Sequence, residues 1–246
     1  MNRFKASSIH FLCSAVVLLL IFVLVRWIWY PGQLFEAASG VDLIVILVSV
    51  DVVLGPLITL VIFKPKKSSL KFDMACVVAL QVVFMAYGVW AIFSARPVYM
   101  AFVENRFYLV TANQIDPEDQ RKAAKPAFQS LPWLGPEVVG TTMPLDPNVI
   151  KNLFWAAPSG LGLHNLPQYF LAYAEVASQA KSAAKTAQEL AAKGKATSIE
   201  DLGTLAAYET KKRAEGKQVL FVPLLNQKKI LNVVIDASTG AVVEVL

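Results

Sequence analysis

One carboxylate in this sequence stands where a carboxylate is expensive. Asp51 lies inside Leu43 to Phe63, an apolar run with no other charge. A run of that length crosses a bilayer as a helix, and an ionisable group inside it needs a partner or a function. Arg26 is the natural intramolecular partner. Counted from Tyr30 and Leu43, it lies four residues deep and Asp51 eight. The axial gap is about 6 Å at 1.5 Å per residue, which a guanidinium stem can cross. The other reading makes Asp51 a contact for a helix of another protein. Gly55-Pro56 follows one turn later. Proline lacks the backbone donor and clashes with the preceding turn, so a kink is expected. That kink either exposes carbonyls beside the carboxylate or only fits the bundle.

Other chemistries lack parts. An aspartyl-protease dyad needs two carboxylates sharing a proton, and Asp51 is the one acid deep in any apolar run, with Asp42 at a rim. A proton-coupled transporter wants several midplane polar groups; Ser49 and Gln81 are few. A serine triad would have to use His164, in the loop Leu161-Gly162-Leu163-His164-Asn165-Leu166-Pro167, which has no nucleophile elbow. Cys13 and Cys76 sit in apolar runs and read as small fillers. No phosphate-binding loop, dinucleotide fingerprint or metal-ligand spacing occurs. No catalytic residue, metal, cofactor or small-molecule substrate is therefore expected.

The elements that carry these residues divide the chain. Of 246 residues 56% are hydrophobic and 17% charged, against about a quarter charged in ordinary soluble domains. The excess is concentrated in residues 1–95, the expected membrane domain, with transmembrane helices at about 9–30, 43–63 and 74–95. Each is long enough to span, and lipid obliges each to satisfy its own backbone. Arg3 and Lys5 precede the first span. Arg26, Glu36 and Asp42 flank the first loop, and Lys64, Lys66, Lys67, Lys71 and Asp73 the second. Basic segments stay in the cytoplasm. The N-terminus and second loop are thus expected inside, with the first loop and residues 96–246 in the periplasm. Cleavage of the first span as a signal peptide would leave that side unchanged. Its end, Arg26-Trp27-Ile28-Trp29-Tyr30, resembles an interfacial aromatic belt rather than a small-residue cleavage site, and Ala37-Ala38-Ser39 is a weak alternative.

Residues 96–246 read as an α+β domain. Val98–Val103 and Arg106–Val110 alternate around Glu104-Asn105, a hairpin in which Asn105 takes the left-handed turn position. Residues 117–125 form a short helix, and 126–147, rich in Pro and Gly, a loop with at most a short extended piece. Residues 148–157 form another short helix. The spacing of Tyr173, Val176, Ala180, Ala183, Ala187 and Leu190 predicts one long helix over 169–193, capped by Gly194. Thr197-Ser198-Ile199-Glu200 opens a further helix to about Glu215. Strands at 219–224, 229–235 and 241–246 close the chain, with turns at Asn226-Gln227 and Ser238-Thr239-Gly240. Of the net charge of +5, +3 lies in residues 1–95, and the +2 beyond is small and dispersed, unlike the clustered basic stripe of a nucleic-acid surface.

Together, the three spans in this orientation, Asp51-Val52-Val53-Leu54-Gly55-Pro56-Leu57, and Arg96-Pro97-Val98-Tyr99 after the third span resemble the type IV pilin accessory proteins of the TfpX/TfpZ kind. The closing Val233-Val234-Ile235-Asp236 with Thr239-Gly240 is similar as well. The resemblance implies an inner-membrane protein that helps a cognate major pilin reach the assembled pilus, with no enzyme activity and no cofactor. A pilin helper needs a lateral surface in the bilayer and a second surface outside it, and this layout supplies both kinds. A sensor or scaffold subunit of another envelope machine, recognising a different periplasmic ligand, is the alternative.

Overall fold

The computed structural model describes residues 2–38, 40–193, 199–226 and 230–246. The chain forms two compact units, Met1–Ala95 and Arg96–Leu246.

Three helices in the first unit are long and apolar enough to cross a membrane: α1 (Arg3–Trp29), α2 (Gly40–Ile62) and α3 (Leu70–Ser94). They begin six, three and four residues ahead of the hydropathy estimate; at α1 the Asn2 side chain caps the helix, and at the start of α3 the carboxylate of Asp73 meets Ser69 and Lys67. Val25, Tyr30, Leu47 and Ile92 form a buried cluster, and the Tyr30 hydroxyl donates to the Ile92 carbonyl at 2.9 Å. The end of α1, the start of α2 and the end of α3 therefore share one level, as three alternating crossings require. Trp27 and Trp90 are exposed near that level, where interfacial aromatics belong. Leu12, Leu20, Val61 and Val82 are exposed, a surface suited to lipid.

The second unit is built on one seven-stranded mixed sheet in the order β4-β3-β1-β2-β5-β6-β7. The strands are β1 (Pro97–Val103), β2 (Arg106–Thr111), β3 (Glu137–Thr141), β4 (Phe170–Ala172), β5 (Val219–Leu225), β6 (Leu231–Asp236) and β7 (Val242–Val245). Short helices join them: α4 (Pro117–Arg121), α5 (Pro147–Ala156), α6 (Ala177–Ala183), α7 (Ala187–Lys193) and α8 (Ile199–Ala214). From Val98 to Phe102 every residue of β1 is buried, as a strand covered on both faces requires. The two halves of the sheet meet through just two pairs, Phe107 with Leu224 and Tyr108 with Leu225. Each half keeps its own apolar cluster. Tyr99, Phe128, Val139 and Phe170 pack beside β1–β4, while Ala187, Leu190, Leu205 and Phe221 tie α7 and α8 to β5–β6.

Several expectations are corrected. The long helix over 169–193 does not form. Its first residues make β4 against β3, with Phe170 opposite Thr141, and α6 follows. The chain then straightens at Ala184, and Lys185 exchanges both backbone bonds with Phe221 before α7 begins. The apolar spacing survives because both short helices bury one side, at Val176, Ala180, Ala187 and Leu190. Sheet pairing outweighs helix propensity here. The short extended piece allowed for in the Pro/Gly-rich loop does form: it is β3, paired on both sides. In the hairpin Glu104, not Asn105, is left-handed at φ +55°; the Asn105 side chain accepts from Arg106 Nε at 2.9 Å. Residues 117–125 shorten to α4, capped by Asp116. The Gly194 cap, the start of the Thr197 capping box and the Gln227 turn lie outside the described residues.

Phe107 sits on the seam between the half-sheets, fully buried, with its ring 5.2 Å from Phe102 and 5.9 Å from Tyr173. Phe107→Ala is expected to cost about 3–5 kcal/mol, and Phe107→Leu far less. Thermal melting in detergent checks this; equal midpoints for both variants would sink it.

Candidate functional site

The polar groups of the membrane unit are arranged around one break in α2. Over Ser49–Leu54 the helix widens into a π turn. The Gly55 N–H donates to the Val50 carbonyl, five residues back. In that register the next donor would be residue 56, aimed at the Asp51 carbonyl. Residue 56 is proline and has no N–H to give. The missing bond comes from α3: Gln81 Nε2 donates to the Asp51 carbonyl at 3.3 Å. Gly55 makes room for it, since a Cβ there would stand 1.8 Å from Gln81 Nε2. The kink expected from Gly55-Pro56 is therefore a π turn clamped by a glutamine. Gln81 was too isolated in sequence to stand out, because its partner is a carbonyl and not a side chain.

A second set of contacts joins α1 to α2. Ser7 Oγ donates to the Pro56 carbonyl at 2.9 Å, and His10 Nδ1 and Thr59 Oγ1 share a hydrogen bond of 2.6 Å. Thr59 and Ser14 are buried. Ser7, His10 and Ser14 recur every three or four residues, so they share one side of α1. That spacing was the available signal, masked by the apolar residues between them.

Asp51 is 1% exposed, and neither carboxylate oxygen has a hydrogen-bond partner among the described residues. The expected bond with Arg26 is absent. The Arg26 guanidinium instead lies over the Phe35 ring, 5.8 Å from its centroid. Arg26 sits in a second π turn, Val25–Trp29, at the level of the aromatic cluster. A long cationic side chain there gains more from an aromatic face and the interface than from the span interior. Cys13 and Cys76 are exposed on the outside of α1 and α3 rather than filling the interior.

In the second unit, His164 is not arranged for proton transfer. Its ring stacks on Tyr108 with centroids 4.2 Å apart and planes 5° from parallel. Burial pushes its pKa down to about 4, although the Gly160 backbone opposes the shift. The neutral ring forms one wall of a cleft of about 390 Å³ lined also by Val103, Leu109, Leu163 and Leu225. A second cleft, about 330 Å³, shares Gln114, Leu161 and Gly162 with it and runs under α5. α5 buries no residue completely; Leu145, Phe154 and Trp155 around it are 98%, 71% and 70% exposed. Among the described residues, no three His, Cys, Asp or Glu side chains gather where they could hold a metal ion.

Two predictions follow from this geometry. Gly55→Ala should disturb the clamp, and Gln81→Leu should cost about 0.6–1.7 kcal/mol for one bond between membrane helices. Because both act on one contact, Gly55→Ala should cost less in a Gln81→Ala background. A double-mutant cycle of unfolding in detergent checks this, and strict additivity would refute it. For His164 the folded pKa lies below the unfolded value, so between about 6.5 and 4 the unfolded chain binds more protons. Stability should hold above pH 6.5 and fall on acidification by up to about 1.4 kcal/mol per pH unit. His164→Phe should flatten that slope in melts across the window; an unchanged slope would assign it elsewhere.

Relatives carry the chain further. It is 26% identical over 228 residues to the fimbrial assembly protein, serogroup E1, of Dichelobacter nodosus, covering 92% of this chain and 87% of the relative. The serogroup I protein of the same organism matches at 25% over the same shares. The protein of serogroups C1 and C2 is 32% identical over 100 residues, 40% of this chain and 76% of that relative. No family model matches, and no solved structure does. With residues 51–57 and 96–99 and the three apolar helices, these matches mean that the chain belongs to the fimbrial assembly proteins, accessory factors of type IV pilus assembly.

Proposed function

We propose that this chain is an inner-membrane accessory factor that promotes assembly of a cognate type IV pilin into pili. It binds pilin laterally through its spans and, outside the cytoplasm, through the C-terminal domain. The supporting observation is the extent of the likeness to fimbrial assembly proteins: 228 residues, through both units. A function carried by either unit alone would not need that span. The basic N-terminus and second loop support an outward-facing C-terminal domain.

The two units offer different contacts. Among the described residues Asp51 has no hydrogen-bond donor, so a polar group on an incoming helix can supply one. Gly55 and Pro56, buried just after the π turn, would border that contact, and Arg26, stacked on Phe35, takes no part in it. In the C-terminal domain the exposed apolar residues around α5 are the corresponding surface. The chain acts by contact and has no catalytic role.

Deletion of the gene should abolish or sharply reduce surface pili while pilin is still synthesised. Asp51→Asn should reduce co-purification of pilin in mild detergent with the accessory protein accumulating normally, and Arg26→Gln should leave it unchanged. Normal piliation after deletion, in a strain with no related copy, would overturn the proposal. Activity of a cytosol-dependent reporter fused to the C-terminus would overturn the orientation.

A further inference from the structure

Two lysines between α2 and α3 are placed against local preference. The chain leaves α2 at Ile62 and enters α3 at Leu70. The Lys67 N–H donates to the Lys64 carbonyl at 3.3 Å, and the Leu70 N–H to the Lys67 carbonyl at 3.2 Å, so two consecutive turns order the loop. Pro65 and Lys66 lie at the centre of the first turn, with Lys66 left-handed at φ +67°. Proline second and a positive φ third is the pattern of a type II turn, whose third position favours glycine or asparagine. A lysine there costs backbone energy. Lys71 is in the first turn of α3, where the helix dipole disfavours a cation. Asp73, the acid of that turn, is paired with Lys67. Lys64, Lys66 and Lys71 are exposed and have no ion pair among the described residues.

The start of α1 brings further charge to the same end of the bundle. Ser7 with Pro56 and His10 with Thr59 hold it against the last turns of α2. Arg3 and Lys5 precede Ser7, and Lys64 follows Thr59. Both cations of α1 are exposed, and the Arg3 guanidinium lies 5.3 Å from the Phe4 ring centroid. Phe4 and Phe72 are themselves exposed, so cations and aromatic rings alternate along Arg3-Phe4-Lys5 and Lys71-Phe72. Apart from Asp73, residues 1–35 and 52–75 contain no acid. Orienting the chain needs positive charge in this loop but not at these positions. Lysines at positions 68 and 69, where φ is not positive, would serve as well.

We infer that this rim is a binding site for the phosphate group of an anionic phospholipid, in the leaflet on the N-terminal side. Lys66 and Lys71, supported by Lys64 and Arg3, meet the phosphate as point charges. Phe4 and Phe72 lie against the glycerol and the upper acyl chain. A lipid is the occupant because the cations stand where the apolar helices end, which is the headgroup layer. The phosphate repays the strained turn at Lys66 and the misplaced charge at Lys71. The site requires the three helices to cross a bilayer and is independent of which partner the protein serves.

The test titrates the full-length protein in dodecyl maltoside with phosphatidylglycerol, phosphatidylcholine or glycerol 3-phosphate. Thermal midpoints and the lipid retained in native mass spectra are read. Phosphatidylglycerol should raise the midpoint and stay bound, and the other two should do neither. Lys66→Gly should raise the lipid-free midpoint by relieving the turn, yet weaken phosphatidylglycerol binding about fivefold, the effect of one lysine at a membrane surface. Lys71→Gln should weaken it by a similar factor. Lys217→Gln, an exposed lysine of the C-terminal unit, should leave it unchanged. An equal response to phosphatidylglycerol and phosphatidylcholine would overturn the site. A matching response to glycerol 3-phosphate would overturn it too, by showing a site for free anions. Equal losses from the three lysine variants would reduce it to attraction by net charge.

Discussion

A backbone carbonyl inside lipid must find a donor, and in this chain that requirement is met at Asp51 by a side chain from another helix. Pro56 removes the donor the π turn would have used, and Gln81 replaces it. From this one substitution of partners the rest of the membrane unit follows. α3 must lie against α2 at the height of Gln81. Glycine at residue 55 leaves the Gln81 amide its place, which a Cβ would take. The orphaned carbonyl is tolerated because Asp51, which carries it, is buried and meets Gln81 of α3 rather than lipid. Ser7 and His10 then join α1 to the same segment, so all three helices meet at one polar level.

Asp51 stands out against that economy. Its backbone is fully accommodated, yet its carboxylate is buried with no hydrogen bond. Structural polar groups in membranes find partners, as Ser7, His10, Thr59 and Gln81 do here. An acid with no such partner among the described residues, on a helix turn whose backbone is already non-standard, is the exception in this unit.

The C-terminal unit shows a related division between what is held and what is offered. Its sheet is two half-sheets joined by two residue pairs, each with its own apolar cluster. Leu145, Phe154 and Trp155, around the helix that follows β3, remain exposed.

The three apolar runs, their alternating direction and the β1–β2 hairpin were legible from residue order alone, because hydropathy and two-residue alternation are local properties. So was the unusual character of residues 51–56, since a carboxylate and a proline in an apolar span are exceptional by type. Tertiary structure decided the partners. Arg26 and Asp51 looked matched by depth, but helix rotation and the Phe35 ring set where the guanidinium goes. Gln81 became essential only when α3 was placed against a carbonyl that proline had orphaned. The alanine-rich stretch had helical spacing throughout, and still broke at Lys185 because Phe221, distant in sequence, offered two backbone bonds. Local pattern determines which groups must be satisfied; the fold determines which neighbours are close enough to satisfy them.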